Sequence, residues 1–150
     1  MSHSVLPDRR AATRLRGWHL AAAGAVFAVW LQLWGLYRVV GPPHRPWLPF
    51  ADKVEHAVGF ALPVLLILLT IALRGRAGWN WPSRRTWVLV VTIFVAHGIV
   101  SEAIQHVWYR YRTGDPLDVV ADWVGIVAGI LLFRLIYRRR SRDVESLVTS

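Results

Sequence analysis

The sequence contains no cysteine, which excludes disulfides, thiolate catalysis and cysteine-based metal centres. Lysine is nearly absent as well: of the 18 basic residues all but Lys53 are arginine. Acidic residues number nine, half the basic total, so the few that exist carry more information than usual. No HExxH zinc motif, no Gly-rich phosphate loop and no Gly-x-Ser-x-Gly nucleophile elbow occurs. There is no internal repeat, which sets aside solenoids and propellers.

What the chain has in abundance is apolar residues, 55% of 150, too many for an ordinary soluble domain unless they are segregated. They are segregated: charges gather in five short stretches, and four hydrophobic blocks lie between them. A transmembrane helix needs about 20 mainly apolar residues. Four segments meet that length, Trp18 to Val40, Val54 to Leu73, Trp87 to Trp108 and Leu117 to Tyr137. The expected fold is therefore an all-α integral membrane protein, a four-helix transmembrane bundle. The bundle domain is expected over residues 17–138, between basic tails at 1–16 and 139–150 that lack a hydrophobic face and are expected to be mobile. The first block follows a basic N-terminus as a secretory signal would. Gly41, Pro42 and Pro43 come after it instead of a small-residue cleavage site, so it reads as a retained signal anchor.

The net charge of +9 would suggest nucleic-acid binding in a soluble protein. Here the arginines flank hydrophobic blocks, where they hold loops against an anionic inner leaflet, and no nucleic-acid partner is expected. Thirteen basic residues fall before span one, between spans two and three, and after span four. Only Arg38, Arg45, Lys53, Arg110 and Arg112 fall on the other side. Loops rich in Arg and Lys stay in the cytoplasm, which predicts both termini inside. Trp18, Trp79, Trp81 and Trp87 then mark the inner interface and Trp47 and Trp108 the outer one, while Trp30, Trp34 and Trp123 are expected to fill core space. Pro63 should kink the second span and open space near His56. The Pro-rich stretch 41–50 should be extended.

Six of the nine acids, Asp52, Glu55, Glu102, Asp115, Asp118 and Asp122, sit at the outer ends of spans two, three and four, with His44, His56 and His106 at the same level. Asp52, His56 and Phe60 share one helix face, with Lys53 beside it. Asp52 also suits a helix cap or first turn. Glu102 lies deep enough in span three that an isolated carboxylate there costs about 2.5 to 3.5 kcal/mol. It shares a face with Gln105 and His106, so this cluster should turn inward to partners or a wet cavity; the competing reading is a polar staple between helices. Pro116 and the acids after it suit the start of span four. Asp118, Asp122, Gly125 and Gly129 follow on one face, and the GxxxG pair Gly125 and Gly129 permits close helix packing, within the bundle or in a dimer.

The ordered set Asp52-Lys53-x-x-His56-x-x-x-Phe60, Glu102-x-x-Gln105, Arg112 and Asp118-x-x-x-Asp122-x-x-Gly125-x-x-x-Gly129 resembles the pattern of the VanZ-like family. The match runs from about Phe50 to Leu132. One departure is visible: the family usually has Asn where this chain has Asp122, which adds a negative charge. The resemblance implies a multi-pass protein of the bacterial cytoplasmic membrane, in a family whose name comes from a protein linked to glycopeptide (teicoplanin) resistance. The usage of Arg, Ala, Val and Trp suits a high-GC bacterium.

Three functions fit these residues. In the first, Lys53 and Arg112 hold the anionic head of a membrane lipid, or of a lipid-linked cell-wall precursor or lipoglycopeptide, while Asp52, Glu102, Gln105, Asp118 and Asp122 orient those cations and accept hydrogen bonds. In the second, the chain is an enzyme acting on such a lipid, with Glu102 as general acid or base, His56 as proton shuttle and Asp118 orienting it. No resident metal or cofactor is expected, although under this second reading His56, Glu102, Asp118 and Asp122 have donors suited to a divalent ion. In the third, the polar residues form an interhelical network or proton relay in an oligomer.

Overall fold

A computed structural model of the chain describes the backbone of residues 9–38, 50–75, 79–109 and 115–148, and side chains over 17–38, 50–75, 79–109 and 115–142. Four helices follow one another: α1 Arg9–Tyr37, α2 Ala51–Leu73, α3 Arg84–Trp108 and α4 Pro116–Val148. Each carries a segment long and apolar enough to cross a membrane, so the protein is a multi-pass membrane protein. The described residues contain no strand.

Local chemistry explains the helix ends. Ser83 caps α3 by accepting a hydrogen bond from the Thr86 amide at 3.2 Å, which satisfies one of the first-turn donors left free by helix geometry. Asp115 does the same for α4, where its Oδ1 accepts from the Leu117 amide at 2.9 Å, and Pro116 takes the first helical position, which needs no amide hydrogen. The start of α2 is different: Phe50 has φ 62° and ψ 17° and makes no side-chain cap, a backbone region that is uncommon for a bulky residue.

α2 lies at the centre. Phe60, Val64, Leu68 and Ala72 are fully buried at spacings of four, the period that places residues on one helix stripe. Val90 and Phe94 of α3 and Ile126 and Phe133 of α4 complete the core. The outward faces carry Val88, Leu89 and Ile93 of α3 and Val124, Val127 and Leu131 of α4. These exposed apolar residues suit hydrocarbon as solvent. Pro63 is buried inside α2, which continues as one helix past it.

The seam between α2 and α4 is the tightest in the bundle. A Cβ at Gly125 would run into the backbone carbonyl of Ala57, and one at Gly129 into that of Ala61. The GxxxG pair is therefore used inside the bundle, where small residues let two backbones approach. At the end opposite the acids, Trp79 and Tyr137 stack with centroids 5.3 Å apart, and each donates a hydrogen bond to the other's carbonyl. Trp81, Trp87 and Phe133 pack around them.

Three expectations are corrected. Trp30, Trp34 and Trp123 are 55%, 52% and 43% exposed, not core residues, because lipid tails are as apolar as a protein interior and provide no drive to bury them. The expected C-terminal tail is helical over most of its length: α4 runs to Val148, since neither Gly nor Pro occurs after Gly129 to stop it. Likewise α1 begins at Arg9, within the expected N-terminal tail.

Replacing Gly125 with Ala should force α2 and α4 apart and cost about 1–3 kcal/mol, the usual range for overpacking. Gly59→Ala is the control: a Cβ there meets nothing within 4 Å, and the better helix former should be neutral or stabilising by up to about 1 kcal/mol. Thermal or denaturant unfolding in detergent compares the two.

Candidate functional site

The polar residues of three helices converge at the end formed by the start of α2, the end of α3 and the start of α4. Lys53 is the hub. Its Nζ lies 2.6 Å from Asp115 Oδ2, 2.6 Å from Asp118 Oδ1 and 3.0 Å from Asp52 Oδ2. Three carboxylates around one ammonium match its three donors and fasten α2 to the start of α4. One turn deeper, His56 Nδ1 is 2.9 Å from Asp122 Oδ1, and His56 Nε2 is 3.9 Å from Asp118 Oδ2.

Glu102 enters from α3. Its Oε2 accepts the Asp115 amide at 3.0 Å, which ties α3 to the cap of α4. Its other oxygen, Oε1, has no hydrogen-bond partner among the described residues, and neither has Oδ2 of Asp122. Glu102 is 6% exposed and Asp122 0%. A buried polar atom without a partner costs about 1–3 kcal/mol, and more when charged. Space for the Asp122 carboxylate comes from Gly98, where a Cβ would sit 3.0 Å from Oδ2.

Gln105 is buried, yet its role is local: Nε2 donates to the Leu36 carbonyl at 3.2 Å. Tyr109 donates to the Tyr37 carbonyl. Both satisfy carbonyls at the C-terminus of α1, where the last turn has no intrahelical partners. His106 does not share the inward face of Glu102 and Gln105; it is exposed, because a step of four residues turns it 40° past Glu102, on the side away from Gly98, Ser101 and Gln105, which make the buried face. Asp122, not Asp118, is the closer partner of His56. Asp52 touches Lys53 but stays exposed, with 61% of its side-chain surface free. Arg112, His44, Arg45, Trp47 and Arg110 lie outside the described residues.

Sequence reasoning missed two positions. Asp115 stood among the outer acids but not among the site residues, although its place just before Pro116 marked it as a cap. Arg38 was counted only for topology. Its guanidinium stacks on Trp34 with the centroid at 4.7 Å, and among the described residues it has no ion-pair partner.

Arg38 opens onto a groove between α1 and α2, a cavity of about 700 Å³. Its walls are mostly apolar, including Phe27, Leu31, Leu62 and Leu66, while Arg38, Glu55 and His56 bring charge and imidazole to one end. His56 thus belongs both to the groove and to the carboxylate cluster.

The chain is similar to a protein of the fission yeast Schizosaccharomyces pombe, named "Uncharacterized protein C11E3.10". The two are 30% identical over 128 residues, which span 85% of this chain and 74% of the yeast protein. This chain belongs to the family of that protein. The aligned length exceeds any one helix pair, so the likeness extends across most of the bundle. No family model matches the chain, and no solved structure matches it.

The Lys53 hydrogen bond holds the Asp115 carboxyl below the ordinary aspartate value. A depressed folded-state value means that this contact stabilises the fold above the unfolded aspartate value, near 3.8, and is lost as pH falls through the lower folded value. Stability measured across an acid titration should therefore fall more steeply below about pH 4 in the native chain than in Asp115→Asn. Removing the hub by Lys53→Met leaves Asp115 and Asp118 unpaired. Breaking a fully buried pair costs about 3–5 kcal/mol, and partial exposure brings the expectation here to about 1–3 kcal/mol.

Proposed function

We propose that this protein binds a membrane-resident amphiphile with an anionic head, the acyl tail lying in the groove between α1 and α2 and the head at Arg38. The observation that carries this reading is the position of Arg38. It is a cation without a carboxylate partner among the described residues, set at the polar end of an otherwise apolar groove. Arginine suits such a head because its planar fork forms paired hydrogen bonds with phosphate or carboxylate. Lys53 fits the role less well than the sequence suggested, since three carboxylates already surround it. A lipid phosphate and a lipid-linked envelope precursor share this chemistry.

We propose further that the chain is a VanZ-like protein with both termini in the cytoplasm. The ordered residues from Asp52 to Gly129 support a VanZ-like membrane protein, and residue usage suits a bacterial cytoplasmic membrane, while the relative at 30% identity is from a fungus. The arginine-rich end, with Arg74, Arg84, Arg85 and Arg138, is the cytoplasmic one by the positive-inside rule. Because the chain has no cysteine, single introduced cysteines report orientation cleanly. Phe50→Cys should react with an impermeant maleimide on intact cells and Ser83→Cys only after lysis; the reverse pattern overturns the assignment.

A second reading has one specific observation in its favour. The Asp122–His56 pair, at 2.9 Å, has the form of an oriented general base, and its imidazole lines the groove. Turnover of a lipid substrate that disappears in His56→Gln with folding intact would establish catalysis.

The binding reading is tested by mass spectrometry of lipids retained through purification in mild detergent. Arg38→Gln should lower the retained anionic lipid about tenfold, the scale of losing a charged hydrogen-bonded contact. Leu62→Trp, which fills the groove, should lower it too. Unchanged retention in both variants rejects the proposal.

A further inference from the structure

One nitrogen or oxygen from each of His56, Glu102 and Asp122 lies within 4.8 Å of the others. The three residues come from α2, α3 and α4, so the cluster is a product of the tertiary fold. We infer that they form a binding site for a single divalent transition-metal ion, with Zn²⁺ or Mn²⁺ the fitting class.

The second observation is the pair of unpartnered oxygens, Glu102 Oε1 and Asp122 Oδ2, on side chains 6% and 0% exposed. Native interiors rarely leave such acceptors unmet, and a bound ion is one of the few physical reasons for it. Charge agrees: two carboxylates and a neutral imidazole sum to minus two, which a divalent cation cancels inside a bundle that otherwise penalises it. Lys53 does not serve this purpose, because its ion pairs go to Asp52, Asp115 and Asp118.

The donor set narrows the ion. Imidazole with carboxylates suits zinc and manganese, whereas magnesium and calcium prefer oxygen alone. Tetrahedral zinc at about 2.0–2.1 Å from its ligands sets them about 3.3 Å apart. His56 and Asp122 already approach at 2.9 Å, and side-chain rotation of Glu102 covers the rest. Asp118, with Oδ2 at 3.9 Å from His56 Nε2, lies by the other ring nitrogen and is not one of the three donors. The ion would take the place of the proton that His56 Nδ1 and Asp122 share, the imidazole keeping a second proton on Nε2 and so binding as the neutral ring, and binding should therefore release one proton and weaken as pH falls. It would also pin three helices at one point. None of this depends on lipid binding in the groove.

The test uses the full chain in nanodiscs, stripped with chelator and titrated with Zn²⁺ alone, then with Mn²⁺, Mg²⁺ and Ca²⁺. The native chain should retain about one equivalent of Zn²⁺ through desalting, release protons on binding and melt at higher temperature. Glu102→Gln and Asp122→Asn should each weaken binding by about tenfold or more, while Asp52→Asn should not. X-ray absorption of the zinc form should show one imidazole with oxygen ligands. If the neutral variants fail to assemble, Glu102→Asp keeps the charge, shortens the reach by one methylene and should show the same loss. The inference is overturned if the native chain retains no metal and its melting is unmoved, if every variant binds equally, or if the absorption spectrum shows two or more imidazoles. A carboxyl pair that simply holds a proton would give the first of these.

Discussion

A charge cannot sit alone in hydrocarbon, and Lys53 is where this bundle meets that constraint. Its ammonium is within 3.0 Å of three carboxylates, two of them at the start of α4 and one on its own helix. The attraction is effective only because α2 and α4 run close enough together for a side chain to bridge them, and Gly125 and Gly129 provide that closeness further along the same seam. Packing of small residues and pairing of charges therefore support one another on a single helix pair. α3 joins through Glu102, whose carboxylate accepts the amide of Asp115, itself one of the carboxylates on Lys53.

α1 stands apart from this arrangement. It packs on α2 and is tied to α3 by Gln105 and Tyr109, which hold the carbonyls of Leu36 and Tyr37. No described carboxylate pairs it to the rest of the bundle. The groove lies along the boundary between α1 and α2, and its walls are mostly apolar. The carboxylate cluster joins α2, α3 and α4, and the groove opens between α2 and α1. His56 belongs to both, with one side of its ring toward Asp122 and the groove on the other.

The two ends of the molecule differ in kind. At one end the contacts are ionic and directional; at the other, Trp79, Trp81, Trp87, Phe133 and Tyr137 form an aromatic cluster edged by arginines, with Arg140 over Trp79 and Arg134 over Trp87. Indole and phenol rings with one apolar body and one polar edge suit the headgroup level, and arginine side chains extend from there to water or lipid phosphate. The two ends of the bundle are thus held by different chemistry, ionic pairing at one and aromatic packing at the other.

Hydrophobic run length and the placement of arginines determined four spans, and the spacing of Asp118, Asp122, Gly125 and Gly129 determined one buried face of the last helix, because both follow from periodicities that local geometry imposes. The same periodicity brought Glu102, Gln105 and His56 inward. It could not say which partner each would meet. That Asp122, not Asp118, approaches His56, that Gln105 holds a carbonyl of α1, that three carboxylates surround Lys53 while Arg38 lines the groove between α1 and α2, and that Trp30, Trp34 and Trp123 face outward were decided by tertiary structure alone. The reason is physical: a helix repeat determines which residues share a face, while the register and distance between helices depend on glycine contacts, caps and bridges between segments far apart in the chain.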